Sequence, residues 1–191
     1  MDSAQQGGGA ASEVMDPGAG GPEALRDVTG DKYAQDMTYD GKKLRLYEPQ
    51  RTSEAYMTRN RPLLAEYDAA SGRPGYQSPE FQSLANKGPV PSGDYLVRQS
   101  DLQLRVDAGL LDRAMGYVGR GSWPGGEVAW GDSRVWLTPS AGTNTFGRGG
   151  FSIHGGWYPG SAGCIDLTSS MPAFTQQFSQ LGMDLQLRVQ Y

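Results

Sequence analysis

The sequence predicts a turn-rich, mostly β domain carrying two or three short helices, and three observations point there. Glycine supplies 28 of the 191 residues, about twice its usual share. The apolar residues fall in short runs that alternate with polar ones, the period of a half-buried strand, and glycine, proline and aspartate punctuate these runs. Helical spacing is confined to brief segments. The length fits one domain, or one domain with a tail.

From Met1 to Asp36 the chain holds seven glycines and one aromatic residue, Tyr33, with seven acidic residues against Arg26 and Lys32. Such a segment buries too little to offset the entropy of ordering it. It reads as a flexible acidic tail or linker, leaving 37–191 as the folded domain. The tail carries −5 of formal charge and the remainder +1, so the folded part has no basic footprint for nucleic acid.

Ordered structure is expected from Met37, with Asp40-Gly41 as the turn of a hairpin and Leu44, Leu46 and Tyr56 beginning the core. Ser78-Pro79-Glu80 has the N-cap and N1 proline of a helix of about two turns, with Phe81, Leu84 and Ala85 inside it and Gly88 closing it. Turn residues from Gly88 to Asp94 lead into a strand at Tyr95-Leu96-Val97, and Leu102, Leu104 and Val106 alternate as a second one. Leu110, Leu111 and Met115 suggest a short buried helix or a cap over a cleft. Trp130 to Leu137 reads as a strand, as does Phe151-Ser152-Ile153. Ser170-Met171-Pro172 opens a helix with Phe174, Phe178 and Leu181 on one face and Gly182 beyond it. Leu185, Leu187, Val189 and Tyr191 alternate as the last strand.

Composition also excludes whole classes. One cysteine closes no internal disulfide, and one cysteine with one histidine cannot make a structural zinc site, so no metal and no cofactor is expected. No run approaches the roughly 20 apolar residues of a membrane-spanning helix. The opening Met1-Asp2-Ser3-Ala4-Gln5-Gln6 is unlike a signal peptide, so work outside the cytoplasm implies either an export route that reads no such peptide or a signal peptide removed from this sequence.

The single histidine, His154, and the single cysteine, Cys164, stand ten positions apart at the two ends of a glycine-rich loop. A thiol at its reference pKa is only a few per cent thiolate at neutral pH, and an imidazole beside it makes it a competent nucleophile. Gly163 frees the backbone to turn the amides of Gly163 and Cys164 toward one point, as an oxyanion hole needs. Two groups can orient the imidazole, the Asp166 carboxylate and the Gly155 carbonyl.

His154-Gly155 followed by Ser161-Ala162-Gly163-Cys164-Ile165 resembles the signature of the YkuD-type L,D-transpeptidases of bacterial cell-wall metabolism. The resemblance sharpens toward the branch used as type VI secretion effectors, through Gly88-Pro89-Val90-Pro91-Ser92-Gly93-Asp94-Tyr95, Trp130-Gly131-Asp132-Ser133-Arg134, Gly147-Arg148 and Gly163-Cys164-Ile165-Asp166-Leu167, and spans about Met37 to Tyr191. It implies a β-sandwich or barrel-like fold and a cysteine acyl-enzyme formed on the L-centre of diaminopimelate in a peptidoglycan tetrapeptide stem, with release of D-alanine. Carried over by position, Cys164 is the nucleophile, His154 the base, Gly155 the orienting carbonyl, Gly163 and Cys164 the oxyanion donors, and Ser161 a loop-stabilising hydrogen bonder.

Arg134 and Arg148 are then candidates to clamp the stem carboxylates, because guanidinium binds carboxylate as a bidentate fork; surface or loop-anchoring roles compete with this. Trp157 and Tyr158 are candidates to wall the substrate groove, and Trp123, Trp130 and Trp136 read as core or lid residues. The chain departs from most of the family in its shorter histidine-to-cysteine loop, in Ala162 where a second histidine is usual, and in Asp166. These departures turn the expected activity toward trimming or D-amino acid exchange, away from cross-linking with a large acceptor. Further implications are injection into the periplasm of a target bacterium, a cognate immunity protein and a secretion-apparatus partner. Two alternatives stand beside this reading: another peptidoglycan cysteine amidase or endopeptidase, and an inactive wall-binding module. The histidine-first order counts against a papain-like enzyme.

Overall fold

A computed structural model of the chain describes residues 35–49 and 61–191. Among these, eight strands form one sheet that curls into a half-barrel, accompanied by three short α-helices, so the chain is mostly β as its composition predicts.

The first hairpin joins β1 (Met37–Tyr39) to β2 (Lys43–Tyr47), pairing Tyr39 with Leu44. Asp40 holds the turn, its carboxylate accepting from the amides of Lys42 at 3.0 Å and Lys43 at 2.8 Å. Gly41 takes a left-handed φ of 93° there, which favours glycine. Leu44 and Leu46 are fully buried, as expected, whereas Tyr56 lies outside the described residues. Asp36 is built into the sheet: its carboxylate accepts from the Gln186 amide at 2.9 Å and pairs with Arg61 at 2.9 Å.

The sheet continues with β3 (Leu63–Asp68), β4 (Gly93–Leu104), β5 (Ser133–Pro139), β6 (Ser152–His154), β7 (Ile165–Asp166) and β8 (Leu185–Val189), in the spatial order β3-β2-β1-β8-β4-β5-β6-β7. The β1–β8 and β6–β7 pairs are parallel and the others antiparallel. The helices are α1 (Leu110–Gly116), α2 (Gly126–Trp130) and α3 (Met171–Leu181). The last buries Phe174 and Phe178 as its apolar spacing predicts, and Gly182 ends it with a φ of 61°. Both rings join Met37, Tyr39, Leu44, Tyr95, Ile153, Ile165 and Leu187 in one core.

Several elements differ from the sequence reading. The helix expected after Ser78 is a single 3-10 turn, Pro79–Phe81, because its apolar face is too small to bury: Leu84 is 39% exposed. The two strands expected on either side of Gln99 are one strand, β4, with a register shift between Val97 and Leu102. Gln99 supports that irregularity by donating its backbone amide to Asp184 Oδ1 at 2.9 Å and its Nε2 to the Phe178 carbonyl at 2.7 Å. Val106 lies in a 3-10 turn and is 70% exposed. Trp130 ends α2, and Gly131 at φ 67° breaks the chain before β5 begins. The helix at Leu110 exists, but Leu110 and Leu111 face solvent. β3 and β7 escaped the sequence reading because one lacks alternation and the other is two residues long.

Candidate functional site

Register places the chemistry. Ile153 of β6 stands beside Ile165 of β7, and both are buried in the core. Side chains alternate along a strand, so the neighbours of these isoleucines, Ser152, His154, Cys164 and Asp166, share the opposite face. His154 pairs with Asp166 across the parallel strands and with Arg134 on the other side, and Arg134 pairs with Gln103 of β4. A row Gln103–Arg134–His154–Asp166 therefore crosses four strands. The next row holds Trp136, paired with Ser152, and then Cys164.

Cys164 is 3% exposed and His154 1%. The Ser152 hydroxyl donates to the Cys164 sulfur at 3.3 Å, and the thiol reaches the Gly150 carbonyl at 3.7 Å. His154 Nδ1 is hydrogen-bonded to the Gly155 carbonyl, which fixes it as the protonated nitrogen. Nε2 is buried with no conventional hydrogen-bond partner among the described residues, which leaves it to the thiol. Burial opposes the Cys164 thiolate, yet the imidazole, followed by the Ser152 hydroxyl and amide, holds the thiol below its ordinary value. Burial likewise opposes the imidazolium, but the Cys164 sulfur, the Gly155 carbonyl and the Asp166 carboxylate hold His154 above its own. Both directions favour charge separation between thiol and imidazole.

Asp166 is 2% exposed, and its Oδ1 accepts from the Thr168 amide at 2.8 Å. Burial raises its carboxyl above the usual range against the pull of His154 and the Thr168 and Gly160 amides. With Lys42, Asp68, Gln77 and Pro159 it also lines a cavity of about 270 Å³.

Gly163 has a φ of 90°, and a Cβ there would stand 2.8 Å from Arg148 Nη2 and 3.3 Å from the Phe151 ring. Outside the strand ladders, and among the described residues, neither the Gly163 nor the Cys164 amide donates to a backbone carbonyl. Gly155 is held by its amide, which donates to the Trp130 carbonyl at 3.1 Å. The Ser161 carbonyl accepts from the Gly72 amide at 2.9 Å, tying the histidine-to-cysteine loop to the segment after β3.

The two arginines are enclosed. Arg148 donates to the carbonyls of Gln82, Pro89 and Gly88, the last two at 2.7 and 2.9 Å. Arg134 is 5% exposed, donating to Gln103 Oε1 at 2.9 Å and to the Ser122 carbonyl at 2.8 Å. Trp157 and Tyr158 are 62% and 73% exposed and make the outer surface of the loop. Ser152, Gly150, Trp130 and Gln103 were not singled out from sequence as site residues. Only the strand before His154 offered a signal, since Ser152 falls on the histidine's face of it.

The described residues contain no cluster of three or more His, Cys, Asp and Glu arranged to hold a metal, and no helix long and apolar enough to cross a membrane. No protein-family profile matches the chain, and neither does any curated protein. Among solved structures it is similar to Bd1075 of Bdellovibrio bacteriovorus, with 14% identity and a TM-score of 0.46. That alignment takes in 81% of this chain and 46% of the Bdellovibrio chain, so this chain spans about half its length. What the fold and site establish together is a curled β-sheet domain with one buried, unpaired cysteine, of a kind suited to cysteine hydrolase chemistry.

Proposed function

We propose that the chain is a cysteine L,D-transpeptidase or L,D-carboxypeptidase that trims or exchanges the terminal D-alanine of peptidoglycan tetrapeptide stems, and that it acts as an antibacterial type VI secretion effector in the target cell envelope. The observation that carries the chemical part is the pairing of Cys164 with His154 on one face of β6 and β7, with the thiol held low and the imidazole high. The substrate and the delivery route rest on the sequence resemblance.

In this reading the Cys164 thiolate attacks the carbonyl carbon between the L-centre of diaminopimelate and D-alanine. The amides of Gly163 and Cys164 receive the developing oxyanion. As the carbon–nitrogen bond breaks, His154 Nε2 gives its proton to the departing amine, leaving a thioester on Cys164. Water or a D-amino acid then attacks the thioester while His154 takes its proton, and the thiolate is restored. The Gly155 carbonyl orients the imidazole and Ser161 steadies the loop. Trp157 and Tyr158, exposed on that loop, wall the groove; a sulfur as buried as Cys164 requires the loop to yield before substrate reaches it.

The burial of Cys164 also favours a second reading, an inactive wall-binding module. Incubating the purified chain and Cys164→Ala with disaccharide tetrapeptides, with and without a D-amino acid, decides between them by product mass. Loss of D-alanine from the wild type alone supports the enzyme, and an exchanged product names the acceptor. Cleavage at another bond assigns an amidase or endopeptidase. Intact stems with equal wall binding by both proteins assign the binding module. Toxicity on export to the periplasm, absent on cytoplasmic expression, is the expected sign of the effector; equal toxicity from both compartments removes that part.

A further inference from the structure

Arg134 is a buried charge without an ion-pair partner among the described residues. Among the described residues no acidic side chain comes within ion-pair distance of its guanidinium. Removing a charge from water without a counter-ion costs several kcal/mol. Three indoles offset part of that cost: the guanidinium carbon lies 4.2 Å from the ring centre of Trp123, 4.7 Å from Trp130 and 4.6 Å from Trp136. The hydrogen bonds to Gln103 and Ser122 fix its plane.

The cage adjoins the reactive pair. Arg134 stands beside His154 in register, and the Trp130 ring packs 5.0 Å from the imidazole, so one indole contacts both the guanidinium and the proposed base. Trp136 pairs with Ser152, which donates to the Cys164 sulfur. The charged groups acting around this point are Asp112 of α1, His154 of β6, Cys164 and Asp166 at β7, and Arg148 from the loop before β6. Burial lowers Arg134 below its ordinary value, and Cys164, followed by Asp112, pulls it back.

We propose that Arg134, caged by Trp123, Trp130 and Trp136, is a positioning residue whose fixed cation serves as a counter-charge to the Cys164 thiolate, and that it does not contact the substrate. The cage excludes water from the cation, so its field reaches the sulfur with little screening, and an enclosed fork leaves no room for a bidentate carboxylate. This inference rests on Cys164 being the nucleophile, but its principal measurement needs no substrate.

Cys164 is the only cysteine. The ultraviolet absorbance of its thiolate, taken against the matching Cys164→Ala chain, therefore reports its ionisation alone across a pH series. In the full-length chain, Arg134→Gln is expected to move that titration to higher pH. Arg134→Lys, which keeps the cation, is expected to restore most of it. Trp136→Leu, at a partly buried position, opens the cage to water and shifts the titration the same way by less; it carries the test if Arg134→Gln fails to fold. With tetrapeptide, kcat at neutral pH falls about tenfold in Arg134→Gln with KM unchanged. A folded Arg134→Gln that titrates like wild type, unmoved titration in Trp136→Leu, or a raised KM at unchanged kcat overturns the proposal. Absence of turnover in wild type overturns the function reading and leaves the titration to decide this one.

Discussion

The hydroxyl of Ser152 lies 3.3 Å from the sulfur of Cys164 and donates to it, although twelve residues separate them in the chain. The parallel pairing of Ile153 with Ile165 sets this contact, because it brings Ser152 and Cys164 to the same face of two neighbouring strands. A hydrogen bond to a charged acceptor contributes about 1.5–3 kcal/mol, and the thiolate is the form that Ser152 favours. Ser152→Ala is therefore expected to lower kcat/KM at neutral pH by roughly tenfold or more while the fold persists. Alkylation of Cys164 followed against pH checks it: the reactive form should appear only at higher pH than in wild type.

The directions at the pair define a pH profile. The thiol ionises below its ordinary value and the imidazole stays protonated above its own. Activity should climb as pH rises through the lowered thiol value and hold while the ion pair exists. It should fall as pH passes the raised imidazole value and the leaving amine loses its proton donor. kcat/KM measured across the range should be bell-shaped, with the acid limb moving upward in Ser152→Ala. A single sigmoid would remove the imidazolium from the mechanism.

Gly163 is constrained twice, by a φ of 90° and by Arg148 Nη2 and the Phe151 ring standing where a Cβ would go. Gly163→Ala should cost about 1–3 kcal/mol of stability from backbone strain. It should also lower turnover by more than the stability loss explains, since the amide on which the oxyanion depends is displaced. Thermal melting and single-turnover kinetics on the same preparation separate the two effects.

Asp36 and Arg61 form an ion pair whose side chains are 1% and 5% exposed, anchoring the segment before β1 to β8 through the Gln186 amide. Breaking a buried pair from one side leaves an uncompensated charge, and Asp36→Ala is expected to destabilise the domain by about 3–5 kcal/mol. Chemical denaturation gives the value. A loss below about 1 kcal/mol would mean that the pair is solvated in solution.

Local patterns were legible wherever a few consecutive residues carry the whole signal. Asp40-Gly41 marks its hairpin, and Phe174, Phe178 and Gly182 mark α3, because turn geometry and helical period act over short range. Segments with mixed signals mislead. Gln99 to Asp101 looks like a break between strands, yet side-chain and backbone partners from the segment preceding β8 carry the ladder through it. Leu110 and Leu111 suit a buried helix or a cap by residue type, and only the packing of neighbouring elements decides that both face solvent.

From sequence alone one could read the turn-rich β class, the ten-residue spacing of His154 and Cys164, the glycine before the cysteine and the absence of metal-ligand spacing. The row Gln103–Arg134–His154–Asp166, the Ser152 contact and the tryptophan cage belong to the tertiary structure. The physical reason is that strand register relates residues distant in the chain. A one-residue slip would turn every side chain of a strand to the other face, and nothing within a single strand specifies which residue its neighbour presents.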